Sequence, residues 1–181
     1  RVGVKVPADM RHYPYQATFD FEAYFEKATN GMVAKHKPLS FSICSNIPGY
    51  TEAECVVTDG DSDVLISKFL TMLNKRSDKA FELLKEKYKP YIDKLEKLAK
   101  KEQERERRAG EGTQAKTNSK EELLSSFYTW MKELVVLGFN NAKYDNNLIK
   151  VSLMKLLHQN GKQIVVDGQD NAPANIWDFK I

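Results

Sequence analysis

Leu39, Phe41 and Ile43 alternate with Ser40, Ser42 and Cys44, and a period of two places the apolar set on one face of a strand and the polar set on the other. Such a strand is not stable alone. It needs neighbouring strands and a second layer over its apolar face. Residues 16–25, QATFDFEAYF, alternate less regularly but are aromatic-rich, which favours another strand. A Pro-Gly turn over residues 47–50 leads to a third short strand at residues 53–58, so the first half reads as a β-meander.

The pattern then changes to helical. Val64/Leu65, Phe69, Met72/Leu73, Ala80/Phe81 and Leu84 recur at helical spacing behind DGDSD at residues 59–63, which reads as a helix cap. Asp59, Asp61 and Asp63 imitate the start of a calcium loop, but the position that needs glycine is Val64 and the twelfth is Leu70, so capping is the better reading. Pro90 lacks an amide hydrogen and is expected to break the helix and open a second one as its first residue. Leu84, Tyr88, Tyr91, Leu95 and Leu98 then follow 4, 3, 4, 3 spacing, an apolar seam that predicts a helical arm packed on a neighbouring helix. Residues 109–122, rich in Gly, Ser, Thr and Asn, predict a turn at the tip of the arm, and residues 123–134 a returning helix.

VVLGF at residues 135–139 has the pattern of a strand buried on both faces. Asn140 and Asn141 are expected to cap a helix from Ala142 to His158 that Gly161 closes, and residues 163–168 predict a further strand. Trp130 and Trp177 read as core residues. The fold expected is α/β: a mixed sheet flanked by helices, with a helical arm inserted before the fourth strand. Residues 1–181 are expected to form one partial domain, with the insertion at about 86–122.

Composition narrows the function classes. The formal charge is +3, from 28 Lys+Arg against 25 Asp+Glu. Residues 85–108 hold 10 basic and 6 acidic residues, a local +4, which leaves 18 basic against 19 acidic residues, or −1, elsewhere. The interleaved acids make this segment a solvated helical face rather than a nucleic-acid patch. No apolar run approaches the ~18 residues of a membrane span, so no membrane association is expected. The first residues have no apolar stretch and begin with Arg1, so no secretory signal is expected and the chain reads as a piece of something longer. Cys44 and Cys55 are the two cysteines. They read as buried free thiols in a reducing, intracellular compartment, with a bridge between paired strands as the alternative. His12, His36 and His158 are scattered and form no zinc pattern.

Two short features carry chemistry. In Asp20-Phe21-Glu22, residues i and i+2 of a strand project from one face, so both carboxylates point together while Phe19 and Phe21 face the core. Paired like charges need compensation, and hard divalent cations take oxygen ligands of this kind. The second feature, GFNNAKYDNNLI at residues 138–149, lies where a buried strand ends and a helix begins, a position at which open α/β sheets bind ligands. On their own, Asn140, Asn141 and Asp145 would do no more than cap that helix.

Together, FDFEAYF and GFNNAKYD resemble the first and second exonuclease motifs of the 3′→5′ exonuclease domain of family B DNA polymerases, an RNase H-like domain of the Asp-Glu-Asp-Asp superfamily. With KHKPLSFSICS between them, the text is most similar to the protein-primed branch of Polinton/Maverick transposons, linear plasmids and related viruses. The resemblance covers residues 16–160. It implies a proofreading nuclease that hydrolyses 3′-terminal nucleotides using two Mg²⁺ or Mn²⁺ ions, with a single-stranded DNA 3′ end and the polymerase domain of the parent chain as partners. It implies that Asp20, Glu22 and Asp145 are metal ligands, Asp20 shared between the ions and Asp145 acting through water. Asn140 and Tyr144 would contact the frayed strand, with Asn141 as the alternative to Asn140.

The chain departs from the family in lacking any Tyr-x-x-x-Asp third motif, for which the 36 residues after Asp145 offer no candidate. Ala23 also stands where phage relatives often carry Thr. A catalytically inactive RNase H-like module that binds nucleic acid or a protein partner through the helical arm is therefore the alternative. A helical interaction protein unrelated to polymerases is the third.

Overall fold

The computed structural model describes residues 12–27, 34–109, 120–138 and 144–159. β1 (Gln16–Lys27) alternates without a break from Gln16 to Glu22: Ala17, Phe19 and Phe21 are buried, whereas Gln16, Thr18, Asp20 and Glu22 are exposed. β2 (Ala34–Ser45) pairs with it antiparallel, Phe21 opposite Phe41 and Phe19 opposite Ile43, so the inward residues of the two strands face each other. The Pro-Gly turn follows: Gly49 takes φ +90°, as its position in the turn requires, and the Tyr50 amide donates to the Ile47 carbonyl at 2.9 Å. β3 (Glu54–Val57) then pairs antiparallel with β2.

The register between β1 and β2 slips once. Glu22 faces Ser40, but Ala23 faces Pro38, leaving Leu39 as the extra residue of a bulge. Proline cannot donate to a ladder and is tolerated at such irregularities. Leu39 was expected to share the inward face of Phe41 and Ile43; at the bulge the buried position passes to Pro38 instead.

Helix α1 (Ser62–Lys87) starts where the DGDSD cap was read. The Asp61 carboxylate accepts from the Asp63 and Val64 amides at 2.9 and 3.2 Å, and its carbonyl accepts from Leu65. That is an N-cap, not a calcium loop. Asp61→Ala is expected to cost about 1 kcal/mol of stability, read as a lower melting temperature by circular dichroism. After α2 (Lys89–Ala109) and α3 (Lys120–Lys132), strand β4 (Val135–Gly138) joins the sheet parallel to β1, and α4 (Asp145–Gln159) follows. The sheet order is β3-β2-β1-β4, an α/β arrangement with a mixed sheet. No helix among the described residues is long and apolar enough to cross a membrane.

The chain divides into two compact units, Arg1–Arg76 with Val135–Ile181, and Ser77–Leu134. In the first, Phe69 of α1 packs on Phe19, Phe21 and Phe41 at centroid distances of 5.1, 5.1 and 5.2 Å, and Leu65, Ile66, Ile149 and Leu153 are buried. Lys155 of α4 forms an ion pair with Asp63 of α1. Arg76 is 1% exposed: it pairs with Glu54 of β3 at 2.5 Å, donates to the Met72 carbonyl and stacks on Tyr50. A buried arginine is tolerated only with such partners.

In the second unit, Tyr88 alone separates α1 from α2. Its amide donates to Leu84, and its carbonyl accepts from Tyr91 and Ile92. Pro90 is thus the second residue of α2, one position later than expected. The α2 and α3 helices run antiparallel. Tyr88 meets Phe127 and Trp130 at one end, and at the other Gln103 donates to Glu121 and the Lys120 amide to Glu102. The seam is rotated from the one expected: Leu84, Tyr88, Ile92 and Ala99 are buried, while Tyr91, Leu95 and Leu98 are only half-buried.

Two further expectations need correcting. β4 is not buried on both faces: Val135 and Leu137 are 44% and 47% exposed, because among the described residues β4 pairs only with β1 and forms the edge of the sheet. Cys55 is exposed for the same reason at the opposite edge, and neither it nor Cys44 is in a disulfide. The expected strand at residues 163–168, Trp177 and Gly161 lie outside the described residues.

Candidate functional site

Because β1 and β4 are parallel, their carboxyl ends lie at one side of the sheet. Their ladder pairs Gln16 with Val135 and ends with Phe19 opposite Gly138. Asp20 and Glu22 follow on β1, both exposed and both on the face opposite the buried phenylalanines. Two residues beyond the end of that ladder, the Phe21 amide donates to Asp145 Oδ1 at 3.1 Å. A carboxylate from the first turn of α4 is thereby fixed to the backbone residue that separates the two acidic residues of β1. Asp145 is 2% exposed.

The electrostatics follow from that placement. Burial holds the Asp145 carboxyl above the usual carboxylate range. Its bonds to the Phe21 amide and to its own backbone pull the other way, while the charges of Asp20 and Glu22 push it further up. No basic side chain among the described residues pairs with it. A carboxyl raised in the folded state favours folding below its unfolded pKa, and that contribution is lost as pH rises through the folded value. Asp145→Asn keeps an oxygen for the Phe21 amide and removes the charge. In chelator at neutral pH it is expected to melt higher than the unaltered protein, with the difference vanishing in thermal scans at acidic pH.

Tyr144 precedes Asp145 and is 37% exposed. Its carbonyl accepts from Leu148, opening α4, and its hydroxyl shares a 3.2 Å hydrogen bond with His36 Nδ1. His36 lies opposite Phe25 in the β1–β2 ladder, and their rings meet edge to face at 4.5 Å. Asn140 and Asn141 lie outside the described residues, as do Ala142 and Lys143, so α4 is described from Asp145 rather than from Ala142.

Asp145 is therefore placed beside Asp20 and Glu22, which lie in the middle of β1 just beyond the end of its ladder with β4, and Tyr144 precedes it in sequence. Among the described residues, however, no group of three or more His, Cys, Asp or Glu side chains is arranged to hold a metal ion. No protein-family model, curated protein or solved structure matches the chain. Phe25 closes the aromatic segment at residues 16–25 and His36 stands among the scattered histidines, and only the strand register reveals them as a pair. Arg76 escaped the sequence reading because its partner Glu54 is 22 residues away on another element.

Proposed function

We propose that the chain carries the first two motifs of the 3′→5′ proofreading exonuclease domain of a protein-primed family B DNA polymerase, an RNase H-like unit hydrolysing 3′-terminal nucleotides of single-stranded DNA. One observation carries this reading: Asp145, from the second motif, is seated on the amide between Asp20 and Glu22 of the first. The strand order β3-β2-β1-β4, with β1 parallel to β4, supports an RNase H-like arrangement.

The donor chemistry fits two Mg²⁺ or Mn²⁺ ions. All three acidic groups are hard oxygen donors, and the buried one has no basic partner among the described residues. Asp20 and Glu22 would hold the ions, with Asp145 completing the set through water. Bound divalent ions of this kind supply a nucleophilic water at neutral pH and stabilise charge on the leaving oxygen. The Phe21 amide fixes the orientation of Asp145, and Tyr144 offers a ring face to an unpaired base.

The absence, among the described residues, of an arranged metal-holding group favours a second reading, an RNase H-like binding module without activity. A 5′-labelled single strand incubated with the full-length parent in Mg²⁺ or Mn²⁺ separates the two. Loss of 3′ trimming in Asp20→Ala plus Glu22→Ala is the expected result, and trimming unchanged by it overturns the catalytic assignment. Binding with no trimming by the unaltered protein selects the second reading.

A further inference from the structure

Aromatic side chains at the end of a strand pair are ordinarily buried or scattered, yet Phe25 is 68% exposed and still in ring contact. Three rings are linked in sequence. Phe25 meets His36 at 4.5 Å with planes at 78°, and His36 meets Tyr144 at 5.8 Å with planes at 71°. In an edge-to-face contact the edge of one ring meets a face of the other, so each contact fixes the pair while occupying one face of one ring only. The His36–Tyr144 hydrogen bond fixes the last member further; the hydroxyl donates when the imidazole carries its proton on Nε2.

The surroundings suit a polyanion. Lys27 and Lys35 are exposed on the same strand ends, and Lys37 pairs with Glu26 at 2.8 Å. The row of rings ends at Tyr144, the residue before the buried Asp145, so it leads from the end of β1 back toward Asp20 and Glu22 in its middle.

The geometry points to a three-ring platform, Phe25–His36–Tyr144, on which unpaired nucleobases next to the 3′ terminus stack, with Lys27 and Lys35 near the backbone phosphates. This rests on the exonuclease reading above and extends it to Phe25 and His36. Phe25 and Tyr144 contact bases, and His36 is a positioning residue that holds Tyr144. A base must leave its duplex partner to lie on such a platform, so the platform selects frayed ends over paired ones.

The test measures binding of a 5′-fluorescein oligo-dT by anisotropy with Ca²⁺ present, using the full chain. A second oligonucleotide lacks the bases of its 3′-terminal nucleotides. Phe25→Ala is expected to weaken binding of the intact strand by roughly five- to a hundredfold, with little further loss on the abasic strand, and Phe25→Trp to restore it. His36→Ala should show the same insensitivity to base removal. Phe25 and His36 are exposed, so neither substitution removes core. The platform is overturned if both alanine variants bind the intact strand like the unaltered protein, or if they lose intact and abasic strands equally. In either case the exonuclease reading stands on the separate behaviour of the Asp20/Glu22 variant. If the unaltered protein does not bind single strands and that variant trims normally, both readings fall.

Discussion

Under the proposed exonuclease reading, trimming of a single strand by the full-length parent is expected to fall by roughly a thousandfold when Asp20 and Glu22 are both replaced by alanine, since a bound divalent ion contributes several kcal/mol of charge stabilisation and each 1.36 kcal/mol is tenfold in rate. Both residues occupy outward positions of β1 and are exposed, so their removal takes no apolar surface from the core. The circular dichroism spectrum should be unchanged. Loss of trimming together with loss of fold would instead mark Asp20 and Glu22 as structural. Raising Mn²⁺ is not expected to rescue the double variant, because on this reading it lacks the carboxylates that would hold the ion.

Phe69→Ala is expected to cost about 3–5 kcal/mol of stability. Its ring lies within 5.1–5.2 Å of Phe19, Phe21 and Phe41, so truncation opens a cavity that all three strand residues border. Set against the roughly 5–15 kcal/mol by which domains are stable, the loss would leave little folded margin. Denaturant titration should show a much lower midpoint with an unchanged slope. A loss below about 1 kcal/mol would mean that the four rings do not form the core of this unit, since collapse of the site is seldom that complete.

Most of the fold was legible because burial enforces periodicity. The alternation of Ala17, Phe19 and Phe21 and the helical recurrence of Leu65, Phe69 and Leu73 mark residues that are buried, and the Asp61 cap and the Pro90 break act through local backbone chemistry. Where neither force acts, the sequence was silent. The sequence predicts strands over 16–25 and 39–45, and the ends it leaves out, residues 26–27 and 34–38, carry no apolar alternation and are rich in Lys. β4 has the composition of a central strand but sits at an edge among the described residues. Composition reports what a strand could bury, whereas its neighbours decide what it does bury. For the site, Asp20 and Glu22 were legible from strand parity, but the bond from Phe21 to Asp145 spans 124 residues and follows only from the parallel pairing of β1 with β4.

The bulge at Leu39 has a further consequence. A one-residue slip in a strand pair ordinarily turns every later side chain to the other face, and here the slip falls opposite the junction of Glu22 and Ala23. The extra residue lies on β2 alone: β1 runs through the slip residue by residue, and Pro38 takes the buried position opposite Ala23. The bulge thus absorbs the extra residue on β2, and β1 keeps Asp20 and Glu22 on its outward face. One strand pair thereby carries the acidic residues on one side of the bulge and Phe25 with His36 on the other.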